Sequence, residues 1–145
     1  MFLSVLAAAI HYLALGIGLT GVWIRGRGFR AGDVATTLYG DNLWGIAALL
    51  WIGSGLARAF GGLEKGTTFY LNSPMFLFKM ALYLLAAALE MWPMIALIKL
   101  RVRQAKGEAL DTSRFPTFAR INTAEIVIVM IIPFIASAMA RGWSP

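Results

Sequence analysis

The sequence predicts an all-α fold, an integral membrane bundle of four helices that forms one domain over residues 1–145. Two observations predict it. Four apolar stretches are each long enough to cross a bilayer, and the 145 residues are 59% hydrophobic and only 14% charged. Soluble domains are about 45–50% apolar and about 25% charged, so this composition disfavours a water-soluble globule. The mean hydropathy of +0.73 also excludes a disordered chain, which needs low hydrophobicity and high charge.

Each predicted span has the length of a transmembrane helix, since crossing about 30 Å of hydrocarbon takes roughly 20 helical residues. The first span is predicted to be a membrane helix and not a signal peptide, because its basic residues follow the apolar run instead of preceding it. In chain order, the four predicted spans cover about residues 2–24, 42–60, 74–98 and 121–140.

Capping residues mark where the second and third spans begin and end. Asp41 is a candidate N-cap of the second span, and the alternative is that Asp33 opens a short surface helix before it. Gly61-Gly62 is predicted to end this span, because glycine tolerates the left-handed conformation that closes helices. Ser73 followed by Pro74 is typical of an N-cap and a first helical position, and predicts the start of the third span.

Prolines punctuate the second half of the chain. Phe115-Pro116 is predicted to open an interfacial turn that leads into the fourth span. Pro93 and Pro133 lie inside apolar helices and are expected to kink them, as membrane helices tolerate.

The distribution of basic residues predicts the orientation. Three basic residues lie at the second loop and the C-terminal end, against nine in the first and third loops. The nine are Arg25, Arg27, Arg30, Lys99, Arg101, Arg103, Lys106, Arg114 and Arg120. Because cytoplasmic loops are rich in Lys and Arg, we expect both termini on the periplasmic side of a bacterial inner membrane.

The net charge of +6 is therefore mostly a topology signal. No nucleic-acid partner is expected, because the basic residues lack an aromatic-studded face. The expected partner is the lipid bilayer.

His11 is the single histidine of the chain and lies about ten residues inside the first span. The small residues Ala7, Ala14 and Gly18 share its helical face and leave room for a flat macrocycle, with the imidazole as a metal ligand. The alternative is that these small residues allow close helix packing and that His11 bonds to a neighbouring side chain. Because the chain has no cysteine, a thiolate-held iron–sulfur cluster and a covalent c-type haem are excluded.

Lys79 and Glu90 are the candidate catalytic residues. They are eleven residues apart and lie within roughly 20° of one helical face, at 100° per residue, so they predict a polar seam facing the bundle interior. About 16 Å of helix separates them, so each needs partners elsewhere, and the available ones are His11, Arg58 and Glu125. Arg58 ends the second span and is a candidate for binding a ligand anion, whereas Glu125 is interpreted as an interfacial residue.

The order of several short motifs resembles a bacterial family of predicted membrane proteins, catalogued as domain of unknown function 2214. The resemblance covers nearly the whole chain and implies a membrane topology more than a chemistry. The motifs are His11-Tyr12, Gly40-Asp41-Asn42-Leu43-Trp44-Gly45, Gly55-Leu56-Ala57-Arg58, Glu64-Lys65-Gly66 and Phe76-Leu77-Phe78-Lys79.

More distantly, the layout resembles the HemJ-type protoporphyrinogen oxidases, small four-helix membrane proteins that carry a b-type haem. His11 and Lys79 match the histidine of that family's first helix and the lysine early in its third, while Glu90 stands where a further histidine often lies. The resemblance implies that His11 ligates the iron of haem b and that Lys79 or Arg58 neutralises a propionate. It further implies that Glu90 relays protons and that electrons pass to a quinone, with a porphyrin as substrate.

Two other functions stay open. The first is a non-catalytic scaffold, assembly or transport subunit, in which Lys79 and Glu90 are buried struts. The second is an ion or proton pathway along the polar seam, which would need a homodimer. The haem hypothesis predicts that His11, Arg58 and Lys79 converge on one cavity of porphyrin size. The scaffold hypothesis predicts a plugged His11 and no such cavity.

Overall fold

A computed structural model, which describes residues 1–143, consists of four long helices and a short one. Each long helix is long and apolar enough to cross a membrane, and residues 1–143 contain no strand. The prediction of an all-α protein with four spans is therefore confirmed. The helices are α1 (Phe2–Ala31), α2 (Val34–Phe60), α3 (Thr67–Leu71), α4 (Pro74–Ala105) and α5 (Phe115–Ala140).

Every long helix extends beyond its predicted span. The prediction stopped α1 where charged residues begin, but arginine is a good helix former, and α1 continues until Gly32, whose φ of 67° ends it. Arg25 was predicted to lie in the first loop, but it belongs to α1 and is fully buried. At the other long loop, α4 runs to Ala105 and α5 begins directly at Phe115 instead of after an interfacial turn.

The structure confirms neither expectation for the start of α2: Asp41 is not its N-cap, and Asp33 opens α2 itself and not a separate short surface helix. Asp33 is the N-cap, since its Oδ1 accepts the backbone N–H of Thr36 at 3.2 Å and its Oδ2 accepts the Thr36 hydroxyl at 2.6 Å. These hydrogen bonds from Thr36 lower the pKa of Asp33. Asp41 lies inside α2 and is free for another role.

The predicted N-cap at Ser73 is confirmed by its bond from the N–H of Phe76 at 3.3 Å. Gly61-Gly62 ends α2 as predicted, with Gly61 as the C-cap and the left-handed conformation at Gly62, whose φ is 68°.

The helices α1 and α2 run antiparallel and approach each other closely through glycines. A Cβ built on Gly21 would lie 2.7 Å from the backbone nitrogen of Trp44, and one on Gly40 would collide with the backbone of Arg25. Because no side chain separates the two backbones at these positions, the glycines fix the register of α1 against α2. Along this register, His11 faces Ser54 at one end and Gly28 faces Thr37 at the other.

We expect Gly40→Ala to destabilise the bundle by about 1–3 kcal/mol, because the new methyl group meets immovable backbone. The matched control is Gly45→Ala in the same helix, where a Cβ has open space around it and alanine has the better helix propensity. Thermal unfolding in detergent, followed by circular dichroism, should separate the two variants. Equal melting temperatures for both would show that the close approach is not a constraint.

Two ends of the bundle carry different cores. At the end where α1 and α4 finish, aromatic and aliphatic side chains form the larger cluster, which we call the basic end because most basic residues lie near it. Its buried members are Phe29, Leu38, Leu97, Leu100, Phe115, Phe118 and Ala119. At the opposite end, where α1 and α4 begin, a smaller cluster of Ala59, Tyr70 and Phe76 leaves space for a cavity.

Candidate functional site

A cavity of about 660 Å³ lies at the end of the bundle where α1 and α4 begin and α2 and α5 end. All four long helices contribute to its wall, and α3 covers part of it with Phe69 and Tyr70. Ligand sites for small molecules measure about 300–1,000 Å³ and are mostly apolar with a few placed polar groups. This cavity has that character, and its polar groups include His11, Arg58 and Lys79.

The imidazole of His11 is held by a hydrogen bond to α2. His11 Nδ1 lies 3.0 Å from Ser54 Oγ, and that hydroxyl lies 2.6 Å from the carbonyl oxygen of Leu50. A serine hydroxyl has one hydrogen, which the short bond to Leu50 uses, so Ser54 must accept a proton from His11 Nδ1. The network therefore assigns the Nδ1–H tautomer. His11 Nε2 then carries a lone pair, and it has no hydrogen-bond partner within residues 1–143.

Gly55 and Trp51 of α2 also lie against the imidazole of His11. A Cβ built on Gly55 would lie 3.2 Å from His11 Cε1, so a larger residue there would push the ring out of place. The Trp51 ring lies 5.6 Å from the imidazole, and Tyr83 packs edge-on against Trp51 at 6.0 Å. The indole Nε1–H of Trp51 is buried and has no acceptor in the part of the chain that the structure describes. It is an unused donor on a residue that lines the cavity.

Arg58 is anchored by the loop that follows α2. Its Nε and Nη2 both lie 2.7 Å from Glu64 Oε1, and the Tyr70 hydroxyl donates to Glu64 Oε2 at 3.2 Å. Burial, together with the Glu64 carboxylate, raises the pKa of Tyr70, so the phenol stays protonated as the donor. The guanidinium also lies over the ring of Tyr12, 5.8 Å from its centroid. Arg58 therefore has a fixed position at the cavity with its charge largely matched by Glu64.

Lys79 is one of three cations at the cavity, with Lys65 and Arg141, that no carboxylate of the described residues balances. Its Nζ lies over the Phe76 ring, 4.9 Å from the centroid, and it forms no ion pair with any residue of the described range 1–143. The side chain is half-buried. An unpaired ammonium in an apolar cavity favours an anionic group on whatever binds there.

Sulfur ligands are available at the same cavity. Met80 and Met139 line it, whereas Met91, Met94 and Met130 are exposed on the outside of the bundle. No group of three or more His, Asp or Glu side chains among the described residues could hold a metal ion. A metal bound here would need most of its ligands from an organic group, with His11 and at most a weak thioether from the protein.

The structure thus brings His11, Arg58 and Lys79 to one cavity, and it places Glu90 elsewhere. Glu90 shares a face of α4 with Lys79, as predicted, but it belongs to a second polar site near the basic end. Its partner there is Arg25, which was predicted to lie in the first loop. Among the partners expected for Glu90, Glu125 is present through Arg25, and His11 and Arg58 are not.

Arg25 is the centre of this second site, which we call the Arg25 cluster and define as Arg25, Asp41, Glu90, Arg101, Asn122 and Glu125. Its Nη1 lies 3.1 Å from Asp41 Oδ1 and 2.7 Å from Glu90 Oε1, and its Nη2 lies 2.7 Å from Glu90 Oε2. The same Nη2 lies 2.8 Å from Glu125 Oε2.

The amide of Asn122 completes the surroundings of Arg25. The Nε of Arg25 donates to Asn122 Oδ1 at 2.9 Å, and Asn122 Nδ2 donates to the carbonyl oxygen of Val22. All five N–H groups of the guanidinium are therefore used. On its outer side, Asp41 Oδ2 accepts from Arg101 Nη2 at 2.7 Å. Arg25, Asn122 and Glu125 are fully buried, so the interpretation of Glu125 as interfacial is wrong.

Comparison with known proteins gives one family. Residues 3–144 match the family described as "Predicted membrane protein (DUF2214)". The chain belongs to this family. No curated protein and no solved structure shows significant similarity to it. None of these comparisons supports the resemblance to the HemJ-type oxidases, which depends on His11 and Lys79 alone.

Proposed function

We propose that the protein binds haem b, or a closely related tetrapyrrole, in the cavity, with His11 as the protein ligand, and that it is redox-active. The observation that carries this proposal is the hydrogen bond of His11. Its Nδ1–H is committed to Ser54 Oγ at 3.0 Å, so Nε2 is left as a free base on a cavity residue. Histidines that ligate metals almost always donate their other N–H in this way, which fixes the tautomer and the ring orientation.

The residues of the cavity fit such a group. The volume of about 660 Å³ is that of a small-molecule site, and aromatic and aliphatic side chains dominate its wall. Lys79 supplies an unpaired positive charge for a carboxylate such as a propionate. A flat, apolar molecule with an acidic edge would match the apolar wall and the charge of Lys79.

Each side chain then has a defined task. Haem b supplies one-electron transfer when it is bound. His11 binds through Nε2, Lys79 neutralises an acidic group, and Glu64 with Tyr70 holds Arg58 at the mouth of the cavity. Partners that suit this location are a quinone dissolved in the bilayer, as electron acceptor, and a porphyrin as substrate.

We place the protein in a bacterial inner membrane as a multi-pass protein with both termini on the periplasmic side. The four candidate spans support the membrane, and the excess of basic residues at the basic end supports the orientation. Arg25 leaves that count because it is neutralised inside the bundle, but the excess remains. The cavity then opens on the periplasmic side.

Titration of haemin into the purified protein in mild detergent tests the proposal. We expect the Soret band to shift on binding, and we expect Lys79→Met to weaken the affinity by about tenfold. A hydrogen-bonded charge contributes on the order of 1.5–3 kcal/mol, and every 1.4 kcal/mol is a factor of ten. Lys79→Met keeps the length of the side chain while removing its charge.

Lys99→Met is the matched control, because Lys99 is exposed near the basic end of the same helix. Its affinity for haemin should equal that of the unmodified protein. A Soret band that does not shift with the unmodified protein would contradict the haem proposal, and equal affinities for both variants would remove Lys79 from the site.

A second candidate is a non-catalytic scaffold, assembly or transport subunit. The Arg25 cluster favours it, because this cluster joins α1, α2, α4 and α5 through ion pairs that need no ligand. Failure to bind haemin, with an intact fold, would favour this function.

A further inference from the structure

We infer that the Arg25 cluster is a proton-binding site, in which Glu90 and Glu125 share one proton that is exchanged through Glu90. The inference does not depend on the proposed function. It concerns the opposite end of the bundle from the cavity, and it would stand if the cavity bound nothing.

The ionisable groups of the Arg25 cluster do not balance in charge. Arg25 and Arg101 bring two positive charges, and Asp41, Glu90 and Glu125 bring three negative ones when all are ionised. The fully ionised cluster would therefore carry one net negative charge inside the bundle. An uncompensated charge in such a place costs several kcal/mol, and one proton removes it.

The carboxyl groups of Glu90 and Glu125 are where this proton binds. Glu125 is fully buried, and its Oε1 has no hydrogen-bond partner among residues 1–143. Its other oxygen accepts from Arg25 Nη2 at 2.8 Å, and that nitrogen also contacts Glu90 Oε2 at 2.7 Å. The two carboxyl groups thus lie side by side on one nitrogen. Two adjacent carboxylates in a poorly solvated place cannot both stay ionised at low cost, so a proton binds to the pair.

The described residues offer no metal site that could supply the compensating charge. No group of three or more acidic or histidine side chains within the described residues has a geometry that could hold one. The guanidinium of Arg25 already occupies the centre of the carboxylates, where a cation would sit.

The carboxyl groups of the cluster differ in how deeply they are buried. The side chains of Glu90 and Asp41 are 17% and 18% exposed, whereas that of Glu125 is not exposed at all. Of the two carboxyl groups that share the proton, Glu90 is the one at the surface of the bundle, and the proposed exchange runs through it, while Glu125 is the buried one. The groups that face the pair come from each packed helix: Arg25 of α1, Asp41 of α2, Arg101 of α4 and Asn122 of α5.

Infrared spectroscopy of the purified, ligand-free protein in lipid nanodiscs tests this inference. At neutral pH we expect a carbonyl band of a protonated carboxylic acid, equivalent to one group per chain and shifted in D₂O. Glu125→Gln should remove the band, because the remaining charges balance. Glu90→Gln should also remove it, because Glu125 then ionises against Arg25.

Glu108→Gln is the matched control, since Glu108 is an exposed glutamate of the loop between α4 and α5. It should leave the band unchanged. Absence of a protonated carboxyl band from the unmodified protein at neutral pH would overturn the inference, whether or not the variants fold. A band that survives in both Glu125→Gln and Glu90→Gln would also overturn it.

Discussion

Replacing Arg25 with alanine is expected to prevent the bundle from folding stably. The substitution leaves the Glu90 and Glu125 carboxylates without their main donor and empties the space around which four helices meet. Removing one partner of a buried ion pair costs about 3–5 kcal/mol, which is a large part of the usual 5–15 kcal/mol of a domain. The measurement is the yield of monodisperse protein in detergent, followed by its thermal unfolding.

Arg27→Ala is the control for this prediction. Arg27 lies two residues away in α1, is exposed, and forms no ion pair in the described part of the chain. Its removal should change the unfolding free energy by less than about 0.5 kcal/mol. If the two alanine variants were equally stable, the Arg25 cluster would not hold the helices together.

His11→Ala is expected to abolish haem binding while the protein still inserts and folds. His11 is only partly buried and makes a single side-chain hydrogen bond, to Ser54. The variant loses the proposed iron ligand without leaving a buried charge unpaired. Absorption spectra of the variant, with and without added haemin, measure the effect, and the melting temperature reports on the fold.

Ser54→Ala refines the same prediction. The variant keeps Nε2 but loses the acceptor that orients the ring. Loss of the hydrogen-bond partner of a metal-ligating histidine typically weakens metal affinity by about 10–100-fold. Thr20→Ala, at an exposed position of α1, serves as the control and should bind as the unmodified protein does. Unchanged haem spectra in His11→Ala would remove His11 from the site.

The four spans were predictable because hydropathy over about 20 residues is a strong signal. The helix bounds were not predictable, because the apolar stretch ends at the first charged residues whereas the helix continues through them. Arg25 illustrates the difference. An arginine after 24 mostly apolar residues is typical of a loop, but it shares its environment with Gly21, Gly28 and Gly40, which let α2 approach. Those glycines were the available signal that this stretch is packed against another helix.

The composition of the cavity was predictable in part. His11, Arg58 and Lys79 line one cavity, as the haem hypothesis predicted. The bond of His11 to Ser54 is the contact with a neighbouring side chain that the scaffold hypothesis predicted.

Glu90 does not meet the three cavity residues, because two residues on the same face of a helix can lie far apart along its axis. Fourteen residues separate His11 from Arg25, about 21 Å along α1, and eleven separate Lys79 from Glu90. One polar seam on α4 therefore serves two different sites.

The absorption spectrum of the protein as purified in mild detergent, before and after dithionite, tests the central claim most directly. We predict a Soret band that sharpens on reduction, at about one haem per chain. A flat visible spectrum after expression with ample haem supply would contradict the claim and favour the scaffold, assembly or transport function.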